Sequence, residues 1–506
     1  MKNKIIKFIN NFSKNFSNFK PPKLLVFLII TISTIFISLS HFRLDNDFWF
    51  LINTGKYILN NGFPTIEPFT VHTDMFFVAQ QWLTDVIFYL VYDKFDIYGM
   101  FVFIVLCDLL IAFLIYKLSM LVSDNKVKIS VVTTLIINLF LSASFITTRP
   151  QLFDILLLLT EIYLLELYIK RNNKLFLIGL PIISFLMINL HSALWLMIFV
   201  FLIPYYVERI IKKESYELKP LIITTVIMLI VGLINPYGIE AIKYLFGSYG
   251  IDEINNYIAE MHPITISSHL LVFIIIFIAL GSYYYNKNNN KIRYFLLFLG
   301  TLYLGLSHHK GLLFFYISVI LSYGYNFKNL FEENSVQKTW YKEKSMNIFL
   351  LIMLLIFLFQ YSYKLCNSNI KEKNQPALNE IANYLDNNID KNIKKNIKLY
   401  TSYDEGGYFE YRGYKCYLDP RAEVFLKANN KKEDIFIEFF YLQSKNSNYE
   451  EFLNKYNFDY LVVNEYDILY NNIDTEDYEI VYEKGINYDF NSKKEIKYRI
   501  YKKKEL

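Results

Sequence analysis

The chain of 506 residues is 54% hydrophobic and 18% aromatic, and its mean hydropathy is +0.24. A soluble protein of this length is seldom so apolar, and a stretch such as LLVFLIITISTIFISL is long enough to cross a hydrocarbon core of about 30 Å. The formal net charge of +5 points to no nucleic-acid partner, because the basic residues lie in loops and their placement says more than their sum.

In chain order, residues 1–23 form a basic N-terminus with six lysines and no acid. The apolar run at 24–42 follows. It lacks a small-residue cleavage site, so it reads as a retained anchor. A long first loop covers 43–97 and opens on LDNDFWF, with Asp45 and Asp47 ahead of Trp49. Its second half, WLTDVIFYLVYDKFD at 82–96, is apolar on one side but short and carries three aspartates. It reads as an interfacial helix. Further apolar spans are expected at 98–116, 129–147, 152–169, 175–191, 194–208, 220–236, 268–286, 294–307, 311–327 and 346–364. With the first run these make eleven.

The expected cytoplasmic segments hold 23 Lys and Arg, and the opposite loops hold six: Arg43, Lys56, Lys94, Arg149, Lys243 and Lys310. The positive-inside rule places the N-terminus in the cytoplasm and residues 365–506 outside, in a multi-pass plasma-membrane protein. The polar clusters LDNDFW, TTRPQ (147–151), INLHS (188–192), INPYG (234–238), AEMHP (259–263) and SHHKG (307–311) then share the outer side. One polar cavity there is one reading, since ionisable groups at membrane depth mark function by default. Polar turn residues in short loops are the other.

Residues 372–506 are more polar. ALNEIANYLDNNI (377–389) has helical periodicity, and NIKLYTS, YKCYLD, FDYLVVN and YEIVYEKG read as strands of an α/β domain. In SYDEGGYFEYRGYKCYLDPRAEVF (402–425) the two glycines read as a tight turn ahead of a phosphate cradle. Asp419, Arg421 and Glu423 read as a structural ion-pair cluster ahead of a substrate contact. Cys107, Cys366 and Cys416 have no metal-ligand spacing and read as unpaired buried thiols.

The arrangement resembles the GT-C superfamily, polytopic glycosyltransferases that use polyprenyl-phosphate-linked sugars. DNDFWFLINTGKYILNNGFPTIEPFT (45–70), QQWLTDVIFYLVY (80–92), RPQLFD, the N-L-H of INLHS, INPYG, the GGY turn and LDPRAEV resemble the landmarks of a poorly characterised bacterial GT-C-like family. Two positions depart from that pattern. Phe50 and Leu51 stand where relatives often carry a histidine, and Lys310 stands where Arg is common. The fold implied is a polytopic α-helical membrane domain (24–364) with an extracytoplasmic α/β domain (365–506).

The activity implied is transfer of a sugar from a polyprenyl-phosphate donor, with membrane lipids around it, to an extracytoplasmic glycan, lipid or protein. Asp47 is the first choice for base or cation ligand and Asp45 the second. A partly desolvated carboxylate has a raised pKa and makes a better base. The pair also suits Mg²⁺ or Mn²⁺, which favour oxygen ligands. Glu260 and His262 would complete that cation site with Asp47. For Asp45 the competing role is a helix cap.

Arg149, Lys310, His309 and His308 are candidates for the donor phosphate, against anchoring to lipid headgroups. His191 is a cavity candidate or a hydrogen-bonded structural residue. Trp49, Trp82 and Trp195 suit an aromatic belt first and sugar stacking second. The competing functions are a lipid or polysaccharide transporter or flippase, and a non-catalytic GT-C-like envelope assembly protein.

Overall fold

The computed structural model describes residues 22–212, 216–247, 252–287, 289–328, 376–444, 448–473, 476–487 and 495–504. The expected span at 346–364, Cys366 and most of the basic N-terminus lie outside the described residues. In lipid every backbone N–H and C=O needs an internal partner, so the apolar runs fold as helices. These are α1 (Lys23–His41), α2 (Asp47–Asn61), α3 (Trp82–Val122), α4 (Val127–Ser144), α5 (Gln151–Arg171), α6 (Gly179–Leu190), α7 (Met197–Lys212), α8 (Leu218–Val231), α9 (Ile239–Gly247), α10 (Asp252–Tyr257), α11 (Leu270–Tyr285), α12 (Ile292–Ser307) and α13 (Leu312–Asn326). The segments Lys23–His41, Trp82–Val122, Val127–Ser144 and Ser192–Lys212 are long and apolar enough to cross a membrane. Lys174–Leu190, Leu218–Val231, Leu270–Tyr285 and Ile292–Ser307 are apolar but shorter.

α3 is two helices joined at Asp96, whose φ is +54°. The break separates the amphipathic stretch 82–95 from the apolar stretch 97–122. α13 is buried along nearly its whole length and forms the axis of the bundle.

Two buried polar clusters tie the bundle together. Asp108 of α3 accepts from Ser38 of α1 and, at 2.9 Å, from Ser142 of α4. Arg293, expected in a cytoplasmic loop, is instead 4% exposed in the first turn of α12. Its Nε and Nη2 donate to the two oxygens of Glu166 at 2.8 Å each, and its Nη1 donates to Glu208. The hydroxyls of Tyr294 and Tyr205 also donate to Glu166, at 2.7 and 3.0 Å. Buried charge persists when paired and hydrogen-bonded in this way, and this cluster joins α5, α7 and α12.

The C-terminal region builds a five-stranded sheet in the order β2-β1-β3-β5-β4. Its strands are β1 (Lys398–Tyr400), β2 (Lys415–Cys416), β3 (Tyr460–Asn464), β4 (Tyr478–Asn487) and β5 (Glu495–Lys503). β1 runs parallel to β2 and β3, while β5 is antiparallel to β3 and β4. The helix α14 (Pro376–Asn388) lies where its periodicity placed it. Gly406-Gly407 does not make an isolated turn; it opens the short helix α15 (Gly406–Tyr411). A Cβ on Gly406 would stand 1.9 Å from the Leu418 carbonyl oxygen, so close approach of two backbones is what requires glycine there.

The first loop docks on this sheet. Thr70 bridges to Cys416 in parallel, Val71 N–H donates to Cys416 O at 2.9 Å, and His72 Nε2 lies 2.7 Å from Tyr417 O. Both Cys107 and Cys416 are buried free thiols.

α2 lies against the start of α3 through Gly55, where a Cβ would meet the Asp85 carbonyl oxygen at 2.1 Å. Gly55→Ala is therefore expected to force the two helices apart, at a cost of about 1–3 kcal/mol. A lower melting temperature in fluorescence-detected size-exclusion chromatography checks this; an unchanged one would show that the contact yields freely.

Candidate functional site

The acidic pair sits at the turn between α1 and α2. Asp45 Oδ1 accepts from the Asp47 N–H at 3.2 Å, bridging over Asn46, the N-cap of α2. The Asp45 N–H donates to Thr148 Oγ1 at 3.0 Å, which brings TTRPQ against LDND. Arg149 then faces three carboxylates. Its Nε lies 2.7 Å from Asp45 Oδ1 and 3.1 Å from Asp47 Oδ2, and its Nη1 donates to Glu260 Oε1 at 2.6 Å. Glu260 Oε2 meets Lys310 Nζ at 3.1 Å. Four segments far apart in sequence thus form one chain of alternating charge, Lys310–Glu260–Arg149–Asp45/Asp47.

A fifth segment closes it from the C-terminal domain. Asp404 hydrogen-bonds Asn46, and burial followed by the Asp45 charge pushes its carboxyl up. Tyr403 is fixed by its hydroxyl, which donates to Pro420 O at 2.6 Å. Asp404 was not among the expected site residues; it stands in SYDEGG, and its acidity beside Tyr403 is the signal the sequence carries for it.

The charge states follow from position. The Asp47 side chain is 24% exposed. Burial raises its carboxyl, Arg149 opposes, and Asp45 and Glu260 add to the rise, leaving it at about 7. Glu260 behaves the other way: burial works upward, but Lys310 and Arg149 hold it at about 2. Arg149 is held more firmly protonated, since Asp47, Asp45 and Glu260 outweigh its burial. Burial and nearby His269 lower the His309 imidazole, so at neutral pH the fixed cations here are Lys310 and Arg149.

His309 stacks on Phe145 with centroids 5.8 Å apart, and its N–H donates to His262 O at 3.0 Å. His308 ends α12 in extended conformation, its N–H donating to Leu304 O at 3.0 Å.

The remaining candidates lie in other surroundings. Half-buried His191, just past the end of α6, has its Nδ1 2.5 Å from Oδ2 of buried Asp154 in the first turn of α5. Asn189 accepts from Trp82 Nε1 at 2.8 Å and donates to Ile234 O, while Tyr237 hydroxyl donates to Pro64 O. INLHS and INPYG therefore hold the first loop in place. Trp49 is 6% exposed and packs among Phe48, Tyr92, Tyr408 and Tyr411. Trp195 is 3% exposed, with its Nε1 donating to Ser184. Both are packing residues inside the protein, because their rings find protein partners before they reach a membrane interface.

Asp419 and Arg421 form an ion-pair cluster, with Glu67 of the first loop in place of the expected Glu423. Arg421 Nε lies 2.9 and 3.0 Å from the Asp419 oxygens, and Nη2 donates to Glu67 of the first loop at 2.8 Å.

The fold has solved counterparts. The archaeal oligosaccharyltransferase AglB from Archaeoglobus fulgidus, in complex with an inhibitory peptide and a dolichol-phosphate, superposes with a TM-score of 0.59 at 12% identity, over 87% of this chain and 69% of that one. The chain shares the GT-C fold. The apo oligosaccharyltransferase of the same organism gives a TM-score of 0.52 at 13% identity, with the same coverages. No protein-family model and no curated protein matches the chain. With its long apolar helices, this GT-C fold is that of a membrane protein.

A divalent cation is the cofactor considered for such a site, and these residues do not suit one. Asp45, Asp47 and Glu260 already meet a guanidinium. His262 Nε2 lies 2.9 Å from Asn256 O. Among the described residues no group of three or more His, Cys, Asp or Glu is arranged to hold a metal ion.

Proposed function

We propose that this chain is a membrane glycosyltransferase that moves a sugar from a polyprenyl-phosphate-linked donor to an extracytoplasmic acceptor. The observation that carries this reading is Asp47. Its carboxyl, at about 7, lies between the fixed cations and the C-terminal domain on a GT-C fold. A general base works best when its pKa lies near the working pH. Asp47 takes the proton from the acceptor's hydroxyl or amide as that atom bonds to the sugar's anomeric carbon. The bond from that carbon to the phosphate oxygen breaks, and its electron pair leaves with the lipid phosphate.

Lys310 and Arg149 supply positive charge beside the site where the leaving phosphate gathers negative charge. The lipid phosphate and the peptide bound to the archaeal enzyme support a donor and an acceptor of these classes. The distribution of Lys and Arg supports a cytoplasmic N-terminus and a site on the outer face, and the resemblance of the first-loop motifs to a bacterial GT-C-like family supports a bacterial cell-envelope protein.

The test is a deletion strain complemented with wild type or Asp47→Asn at equal membrane levels, its surface glycans read by mass spectrometry. Loss of one sugar on deletion, restored by wild type alone, is the expected result. Full restoration by Asp47→Asn removes Asp47 from the mechanism, and an unchanged glycan profile on deletion refutes transfer.

A further inference from the structure

We propose that Arg149 is the resident cation of this site, holding with its guanidinium the carboxylates that a divalent metal ion would otherwise bridge. Nε and Nη1 between them reach one oxygen each of Asp45, Asp47 and Glu260, at 2.7, 3.1 and 2.6 Å. The second oxygen of Glu260 goes to Lys310.

A guanidinium is flat, carries its donors in a fixed fork and keeps its proton at any working pH. It gathers carboxylates around a group several ångströms wide, whereas Mg²⁺ draws its oxygens to about 2.0–2.1 Å in an octahedron. Here Asp45 and Asp47 converge on Nε itself and Glu260 meets Nη1, so the guanidinium occupies the place among the carboxylates that a metal ion would take. A dication entering here would also face the positive charges of Arg149 and Lys310.

Arg149 is a positioning residue on this account. It holds the Asp47 carboxylate in place from a different loop, and a side chain replaces an exchangeable ion. The consequence for catalysis rests on the transferase reading; the metal binding does not.

The experiment uses the full-length protein in lipid nanodiscs, with Mn²⁺ as probe and electron paramagnetic resonance as readout. Wild type is expected to hold no stoichiometric Mn²⁺. Arg149→Ala frees the three carboxylates and is expected to raise Mn²⁺ affinity roughly 10–100-fold, a gain that Arg149→Ala/Asp47→Asn abolishes. One Mn²⁺ bound per wild-type chain and lost in Asp47→Asn overturns the proposal, as does a folded Arg149→Ala protein with no gain.

Where Arg149→Ala fails to fold, wild type alone decides. Transfer unchanged by EDTA supports the resident cation, and transfer lost in EDTA and restored by Mn²⁺ refutes it. Absence of transfer from every lipid-phosphate sugar, with the Mn²⁺ pattern as expected, sinks the transferase reading and leaves the cation assignment standing.

Discussion

Asp47→Asn is expected to lower the transfer rate by about 10²–10⁴-fold, the usual contribution of a positioned base, while leaving the protein folded. An amide keeps the size of the side chain and its contact with Arg149 but cannot take the proton. The pH profile carries the sharper form of this prediction. The acting species is the carboxylate, so kcat/KM should rise tenfold per pH unit below about 7 and level off above it. Glu260, held at about 2, stays ionised throughout.

Neighbours should move the midpoint in directions fixed by their charge. Lys310 lowers the Asp47 carboxyl, so Lys310→Gln shifts the midpoint up; Glu260 raises it, so Glu260→Gln shifts the midpoint down. Rates measured from about pH 5 to 9 would test this. A flat profile, or equal rates for Asp47→Asn and wild type, would leave proton removal to another group.

Arg421→Met is expected to weaken the union of first loop and C-terminal domain by about 3–5 kcal/mol, the usual cost of removing one partner from a buried charge cluster. Arg421 is 2% exposed. It pairs with Asp419 beside it in sequence and with Glu67 far away, and Glu410 lies 3.8 Å off. Its guanidinium also lies over Phe50, Phe69 and Phe77, at 5.7, 5.4 and 5.2 Å from their centroids.

Glu67 is held in turn by the N–H groups of Phe69 and Thr70 and by the Thr70 hydroxyl. Methionine fills much of the volume but leaves these carboxylates buried without their cation. Arg421→Lys should recover only part of the loss, because a point charge cannot serve Asp419 and Glu67 with one planar fork. Hydrogen exchange of residues 65–77 is the direct measurement. Protection equal to wild type in Arg421→Met would mean that the loop is held by the sheet-edge bonds at Thr70 and Val71 alone.

The elements that depend on local chemistry were legible in the chain itself. Apolar runs announce helices because lipid forces backbone pairing within the segment. The helix at 377–389 and the strands YKCYLD, FDYLVVN and YEIVYEKG follow from periodicity. β5, EIKYRIYKK, carries the period-2 alternation of a strand through Glu495–Ile500 and so was legible locally, while its register comes from pairing with β3 and β4. The acidic pair and Arg149, Glu260 and Lys310 were each visible as polar residues at the ends of apolar runs.

Which of them meet was a matter for the tertiary structure. TTRPQ, AEMHP and SHHKG converge on LDND, whereas INLHS and INPYG turn away to hold Trp82 and Pro64. Nothing local separates these two groups, since each is a short polar loop between apolar helices. Their sorting depends on how helices hundreds of residues apart pack around α13. The same packing buries Asp47 beside one guanidinium and two other carboxylates, and that environment decides its charge at neutral pH.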